Sequence, residues 1–277
     1  MGDLSYDDVG DPAGTPVVFL HGTPDSRLSR HPDDGLAASA GVRLLAVDRP
    51  GYGGTSPGPF VGRVTALLEQ LGVERAALVA WSGGALAGLE LAATSAWVTS
   101  LHVAGGLVPV EAYDDADVRA AAEARLGLLE MSEAFPPDEL AAAVAPMLAP
   151  YPCDHDLALE HQREHRDPAE QARIAAVPGA VDQMADGLVE AVRLGLAGVE
   201  ADLVDQVRPL RVDLRDIAVP VQLWYGADDQ VTPPAFGEWY AGRLRTAALR
   251  VVPGAGHYLP LTHWPEILAT VTSGPSA

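Results

Sequence analysis

Ala80-Trp81-Ser82-Gly83-Gly84 places a single serine among small residues at the end of an apolar run. The run itself, Ala76–Trp81 (AALVAW), has the unbroken apolar character of a buried strand, and Gly83–Thr94 (GGALAGLELAAT) has the composition of a helix. A serine at a tight strand-to-helix turn has its hydroxyl lifted above the strand end. The helix N-terminus behind it supplies backbone N–H groups with no partner inside the helix. Small neighbours are required because the turn crowds the backbone on both sides. The usual form of this turn is G-x-S-x-G, and here Ala80 stands at the first glycine position. Taken alone, the same five residues also fit a helix N-cap at an ordinary strand–helix junction, so the other segments have to decide.

Two of them lie downstream. Gly226-Ala227-Asp228-Asp229-Gln230-Val231-Thr232-Pro233 follows the apolar run Val221–Tyr225, and Val251-Val252-Pro253-Gly254-Ala255-Gly256-His257 follows next. Serine, acid and histidine therefore occur in that chain order, each just after a strand-like run. A serine hydroxyl is a weak nucleophile at neutral pH and needs a base to take its proton. His257 can serve, on a loop whose Gly254 and Gly256 let the chain turn. A third group must hold the imidazole tautomer and stabilise its charged form. Asp228 and Asp229 both compete for that role.

Upstream stand Phe19-Leu20-His21-Gly22-Thr23-Pro24 and Asp48-Arg49-Pro50-Gly51-Tyr52-Gly53-Gly54-Thr55-Ser56. With these, the five segments resemble the α/β-hydrolase superfamily, in particular its bacterial esterase-like members, over residues 15–105 and 217–270. The resemblance implies an α/β fold: a mostly parallel central sheet flanked by helices, with an inserted helical cap. It implies a Ser82–His257–Asp229 triad, because the family spacing G-x-x-D-x-x-x-P runs from Gly226 to Pro233 and selects Asp229. The backbone N–H groups of Gly83 and Thr23 are then the expected oxyanion donors, so Thr23 side-chain changes should matter less than changes that move its loop. His21 is expected to order that loop, and Asp48 and Arg49 to form a local hydrogen-bonded pair. Trp81 and Tyr258, beside the serine and the histidine, are candidate substrate contacts.

The implied activity is that of a cofactor-free serine hydrolase, with no metal, cleaving a small carboxylic ester or related acyl bond. Serine at the elbow argues against dehalogenase and epoxide-hydrolase relatives, which carry aspartate there. A second class is a non-hydrolytic member: a biosynthetic cyclase or lyase, or a small-molecule binding protein. A complete triad argues against it, since binding needs no serine–histidine pair, and fold alone cannot choose among bond types.

Composition argues against nucleic-acid and membrane partners, which leaves the small-molecule substrate that the resemblance implies. The formal charge of −20, from 38 acidic residues against 18 arginines and no lysine, repels nucleic acid and anionic membranes. No apolar run approaches the roughly 20 residues that span a bilayer, and the N-terminus has no basic and apolar leader pattern. Cys153 is the only cysteine, which excludes an intrachain disulfide and fits a reducing cytoplasm. Nothing in the sequence speaks to oligomeric state.

The apolar runs Val17–Leu20, Val42–Val47, Ala76–Ala80, Leu101–Ala104, Val221–Tyr225 and Leu249–Val252 predict parallel strands covered on both faces. Leu4–Val9 alternates and predicts an antiparallel edge strand, and Val61–Leu71 predicts a short helix. The sheet is thus expected to be one strand shorter than is usual in the family. From residue 107 to 215 the pattern becomes helical, with helices predicted over Ala112–Met131, Pro137–Leu148, Asp156–Arg166 and Pro178–Leu196. The expected division is a core of residues 1–106 and 216–277 with a cap of residues 107–215. Within that cap, His161-Gln162-Arg163-Glu164-His165 matches the inverted zinc-protease pattern H-x-x-E-H, with Asp154 and His155 nearby. Charged residues dominate the segment and no third ligand stands at the family spacing, so a solvated helix is the expectation.

Overall fold

The computed structural model describes residues 4–122, 125–148 and 151–273. Seven strands form one sheet among them: β1 (Tyr6–Gly10), β2 (Thr15–Leu20), β3 (Val42–Val47), β4 (Ala76–Trp81), β5 (Val98–Ala104), β6 (Val221–Gly226) and β7 (Ala247–Val252). Their order is β1-β3-β2-β4-β5-β6-β7. Only β1 runs antiparallel, against β3; every other pairing is parallel.

The apolar runs serve both faces of this sheet at once, as the pleat requires. Val18, Leu20, Leu45, Val47, Leu78 and Ala80 point to one face, where they pack with α2 (Val61–Gln70) and α3 (Gly84–Thr94). Val17, Phe19, Leu44, Ala46, Ala77, Val79 and Trp81 point to the other. There they meet Ala37 of α1 (Asp34–Ser39) and the apolar side of the C-terminal helix Trp264–Ser273. β4 is buried along its whole length, and its C-terminal end, at Trp81, delivers Ser82. β7 departs from expectation: it carries Arg250 among its apolar residues, and only Val252 is buried.

The segment between β5 and β6 is helical, with breaks that hydrophobic pattern did not reveal. The predicted helix over Ala112–Met131 is a 3-10 turn at Val110–Asp114, then α4 (Ala116–Ala121) and α5 (Leu126–Ala134). The restart at α4 has a local cause: Asp115 caps it, its carboxylate accepting from the N–H groups of Asp117 and Val118. α6 spans Pro137–Val144 and α7 spans His155–His165. The helix predicted from Pro178 begins only at Ala180, after Gly179 at φ +79°, and α9 ends at Ala191. Two helices were not anticipated, α8 (Pro168–Ala175) and α10 (Ala197–Asp205). α8 nonetheless carries a legible start, with Asp167 accepting from the N–H groups of Ala169 and Glu170 and Pro168 in the first turn. After β6 come α11 (Pro234–Ala241), α12 (Leu259–Thr262) and α13 (Trp264–Ser273). No helix among the described residues is long and apolar enough to cross a membrane.

Candidate active site

Ser82 is the one non-glycine residue among those described with positive φ, at +53°. A side chain held in this left-handed region costs about 1–3 kcal/mol and persists only where the surroundings enforce it. Here the backbone is tied on both sides. The Ser82 N–H donates to Ala104 O at 3.1 Å, and Ser82 O accepts from Leu107 and Ala85 at 3.1 and 3.0 Å. The hydroxyl therefore stands off the end of β4 in a fixed direction.

His257 meets it from the loop between β7 and α12. Its Nε2 lies 3.1 Å from Ser82 Oγ, and its Nδ1 lies 2.8 Å from Asp229 Oδ2. A carboxylate only accepts, so Nδ1 carries the proton and Nε2 is left free to accept from the serine hydroxyl. Asp229 is held in turn: its Oδ1 accepts from the N–H groups of Val231 and Thr232, both at 2.8 Å, and its Oδ2 also takes the Thr232 hydroxyl at 2.7 Å. Burial pushes the Asp229 carboxyl up, but electrostatic attraction to the His257 ring and its hydrogen bond, aided by Thr232, outweigh it and hold the group below its usual range. The choice between the neighbouring aspartates is geometric. Asp229 is 2% exposed, whereas the Asp228 side chain is 51% exposed and pairs with Arg173 of α8 at 2.8 Å.

The segment after β2 reaches the same place. Gly83 approaches Thr23 so closely that a Cβ on Gly83 would overlap Thr23 Oγ1 and lie 3.4 Å from Thr23 N. Among the described residues neither the Gly83 nor the Thr23 N–H is taken by a protein acceptor. His21 stays buried and neutral. Its Nδ1–H donates to Gly22 O at 2.8 Å and its Nε2 accepts the Arg49 N–H at 3.0 Å. Burial, then the Arg49 charge, push its pKa well below the usual value.

The expected Asp48–Arg49 pair does not form. Adjacent residues at the end of an extended strand face opposite ways. Asp48 turns to Arg27, at 2.7 Å, while Arg49 turns to Asp202 of α10, 153 residues away, at 2.7 Å from Nη1 to Oδ1. Sequence pattern had also passed over Glu170 on α8, which accepts the His257 backbone N–H at 3.3 Å and the Arg173 guanidinium at 2.6 Å. Gly256 makes that approach possible, since any Cβ there would overlap the Glu170 carboxylate.

Trp81 is buried, its indole N–H donating to His257 O at 3.0 Å. Its ring lies 5.3 Å from that of Tyr258. The Tyr258 hydroxyl accepts from Arg166 Nε at 2.8 Å. A cleft of about 950 Å3 opens beside Gly83; Phe60, Leu86, Ala201, Val204, Arg49 and Asp202 line it with that glycine, whereas Ser82 and His257 do not. In the H-x-x-E-H segment His161 and His165 stack at 4.2 Å, and the His165 Nδ1–H donates to His161 O at 2.9 Å. Among the described residues no three His, Cys, Asp or Glu side chains converge as a metal site.

Residues 17–271 match the model of the alpha/beta hydrolase family. The chain belongs to that family. It is 30% identical over 234 residues to a pimeloyl-[acyl-carrier protein] methyl ester esterase of Aromatoleum aromaticum, covering 84% of this chain and 86% of that protein. It is 37% identical over 105 residues to epoxide hydrolase B of Mycobacterium tuberculosis; that match covers 34% of this chain but 28% of the relative. Among solved structures an esterase from Rhodococcus sp. ECU1013 superposes with a TM-score of 0.66 at 22% identity, over 99% of this chain and 96% of that one.

Proposed function

We propose that this alpha/beta hydrolase is a cofactor-free serine hydrolase acting on a small carboxylic ester. The observation that carries the reading is the unbroken hydrogen-bonded line from Ser82 Oγ through His257 to Asp229, with the serine held at positive φ. His257 Nε2 takes the hydroxyl proton as Ser82 Oγ bonds to the acyl carbon, and Asp229 stabilises the imidazolium that forms. The oxyanion is received by the N–H groups of Gly83 and Thr23, which stand ready before reaction. Collapse expels the alcohol, which takes its proton from His257 Nε2. Water, deprotonated by the same nitrogen, then cleaves the acyl-enzyme to acid and free serine.

Residues 107–215 serve as the cap over this core of 1–106 and 216–277. Serine at the elbow supports ester chemistry over that of the epoxide hydrolase relative. An exposed, unpaired Cys153 fits work in the reducing cytoplasm. The test is intact mass after fluorophosphonate treatment, alongside turnover of short p-nitrophenyl esters, for wild type and Ser82→Ala. A single adduct and turnover, both lost in Ser82→Ala, is the expected result. A folded wild-type protein giving neither signal would overturn the reading and favour a non-hydrolytic role.

A further inference from the structure

We propose that Asp202, on α10 of the helical insertion, is a positioning residue that latches the oxyanion loop of the core. The inference rests on the serine-hydrolase reading. Asp202 gathers donors from two loops of the core, the one after β2 and the one after β3. Arg49 reaches it with both terminal nitrogens, at 2.7 Å from Nη1 to Oδ1 and 2.5 Å from Nη2 to Oδ2. The Tyr52 hydroxyl donates to Oδ2 at 2.7 Å, and the Thr23 hydroxyl donates to the same oxygen.

The other donors of Arg49 hold the backbone that leads to Thr23. Nε donates to His21 O at 3.0 Å and Nη2 to Gly22 O at 2.8 Å. Nη2 also lies 3.1 Å from Thr23 Oγ1, so that hydroxyl accepts from Arg49 while giving its own proton to Asp202. The consequence is geometric. Gly22 O shares a peptide plane with the Thr23 N–H, so the Arg49 bond to that oxygen fixes where the N–H points, while the bonds to the hydroxyl hold the β-branched Thr23 in one χ1 well. Arg49 is 5% exposed on its side chain and Asp202 15%. Water therefore cannot readily replace a lost partner, and an unpaired Arg49 would seek new acceptors along the loop.

An ion pair that only fastened α10 to the core would have no need of the Thr23 hydroxyl. The side-chain oxygen on the oxyanion residue is what separates positioning from attachment.

Loss of a whole oxyanion donor lowers kcat by roughly 100- to 1000-fold. A donor left in place but released should cost less, so Asp202→Asn is expected to lower kcat by about 10- to 100-fold with KM changed by less than about threefold. Its inhibition constant for an alkyl boronic acid, whose tetrahedral adduct on Ser82 puts oxygen in the oxyanion position, should rise in proportion to the loss in kcat/KM. Binding of the carboxylic acid product should not follow. Thr23→Val removes the hydroxyl and leaves the Arg49–Asp202 pair intact, which keeps the test open should Asp202→Asn fail to fold. It should lose kcat in the same way, and Thr23→Ser should lose less. The double variant should be no worse than the poorer single one, since both break one device.

Wild-type turnover and labelling with Asp202→Asn and Thr23→Val unchanged in kcat and boronate affinity would overturn the latch alone. Additive effects, or losses confined to thermal stability, would also overturn it. Absence of wild-type labelling and turnover would overturn the serine-hydrolase reading and the latch with it.

Discussion

The strand core and the helical insertion contribute to the site in different currencies. The core supplies the atoms that would react. Ser82, Asp229 and His257 each follow the C-terminal end of a parallel strand (β4, β6 and β7), where a twisted α/β sheet leaves its loops open to ligands. β4, which leads to Ser82, is apolar and buried to its last residue. The insertion supplies charged side chains that grip those loops from outside: Asp202 on the Thr23 loop, Glu170 on the His257 backbone, Arg173 on Asp228, and Arg166 on Tyr258. Apolar burial cannot specify where a backbone N–H points, because it has no direction. Hydrogen bonds and ion pairs do have direction, and the division of labour follows from that difference.

The sharpest break of this comparison is at Ser82. Ser82→Gly should abolish turnover, by about 10⁴-fold or more, while the melting temperature stays equal to or above that of wild type. Glycine occupies positive φ without the Cβ penalty. A clear drop in melting temperature would mean that the +53° backbone is not held against strain. Next comes the aspartate pair. Asp229→Asn should lower kcat by about 10⁴-fold, by favouring the wrong imidazole tautomer. Asp228→Asn loses only an exposed ion pair and should stay within about threefold; equal losses in steady-state assays would contradict the assignment.

An intermediate effect is expected from the insertion. Glu170→Gln keeps an acceptor for the His257 N–H but removes the charge that holds Arg173, and should lower kcat by about 3- to 10-fold. A change in KM alone would place Glu170 in substrate binding instead. A core titration acts on stability and leaves turnover near neutral pH untouched. Burial lowers the pKa of His102, on β5, from 6.5 to about 4. The unfolded chain binds that proton first, so folding stability falls as pH drops from 6.5 towards 4, by at most ~3 kcal/mol for this group. Denaturant unfolding of His102→Gln should be flatter than wild type across that window, and parallel curves would refute it.

Much of the architecture was legible in local pattern. Unbroken apolar runs marked β2 to β6, the alternating Leu4–Val9 marked β1, and Ser82 between an apolar run and Gly-Gly marked a strand-to-helix turn. The family resemblance grouped Ser82, Asp229 and His257, and the folded chain brings their side chains within hydrogen-bond reach. The helix breaks at Asp115 and Gly179 were less visible, since a cap or a left-handed glycine interrupts a helix without interrupting its hydrophobic composition.

Sequence by itself thus determined the sheet, the turn that raises Ser82 and the chain order of the candidate triad, because strand pleat and turn chemistry act between near neighbours. Tertiary structure alone decided the rest. It turned Arg49 away from adjacent Asp48 and towards Asp202, set Glu170 against the His257 backbone, and buried Asp229 while leaving Asp228 in solvent. Each of these joins segments far apart in the chain, or separates neighbours by burial. Periodicity carries no record of either, since partners more than 80 residues apart are chosen by where the folded backbone delivers them.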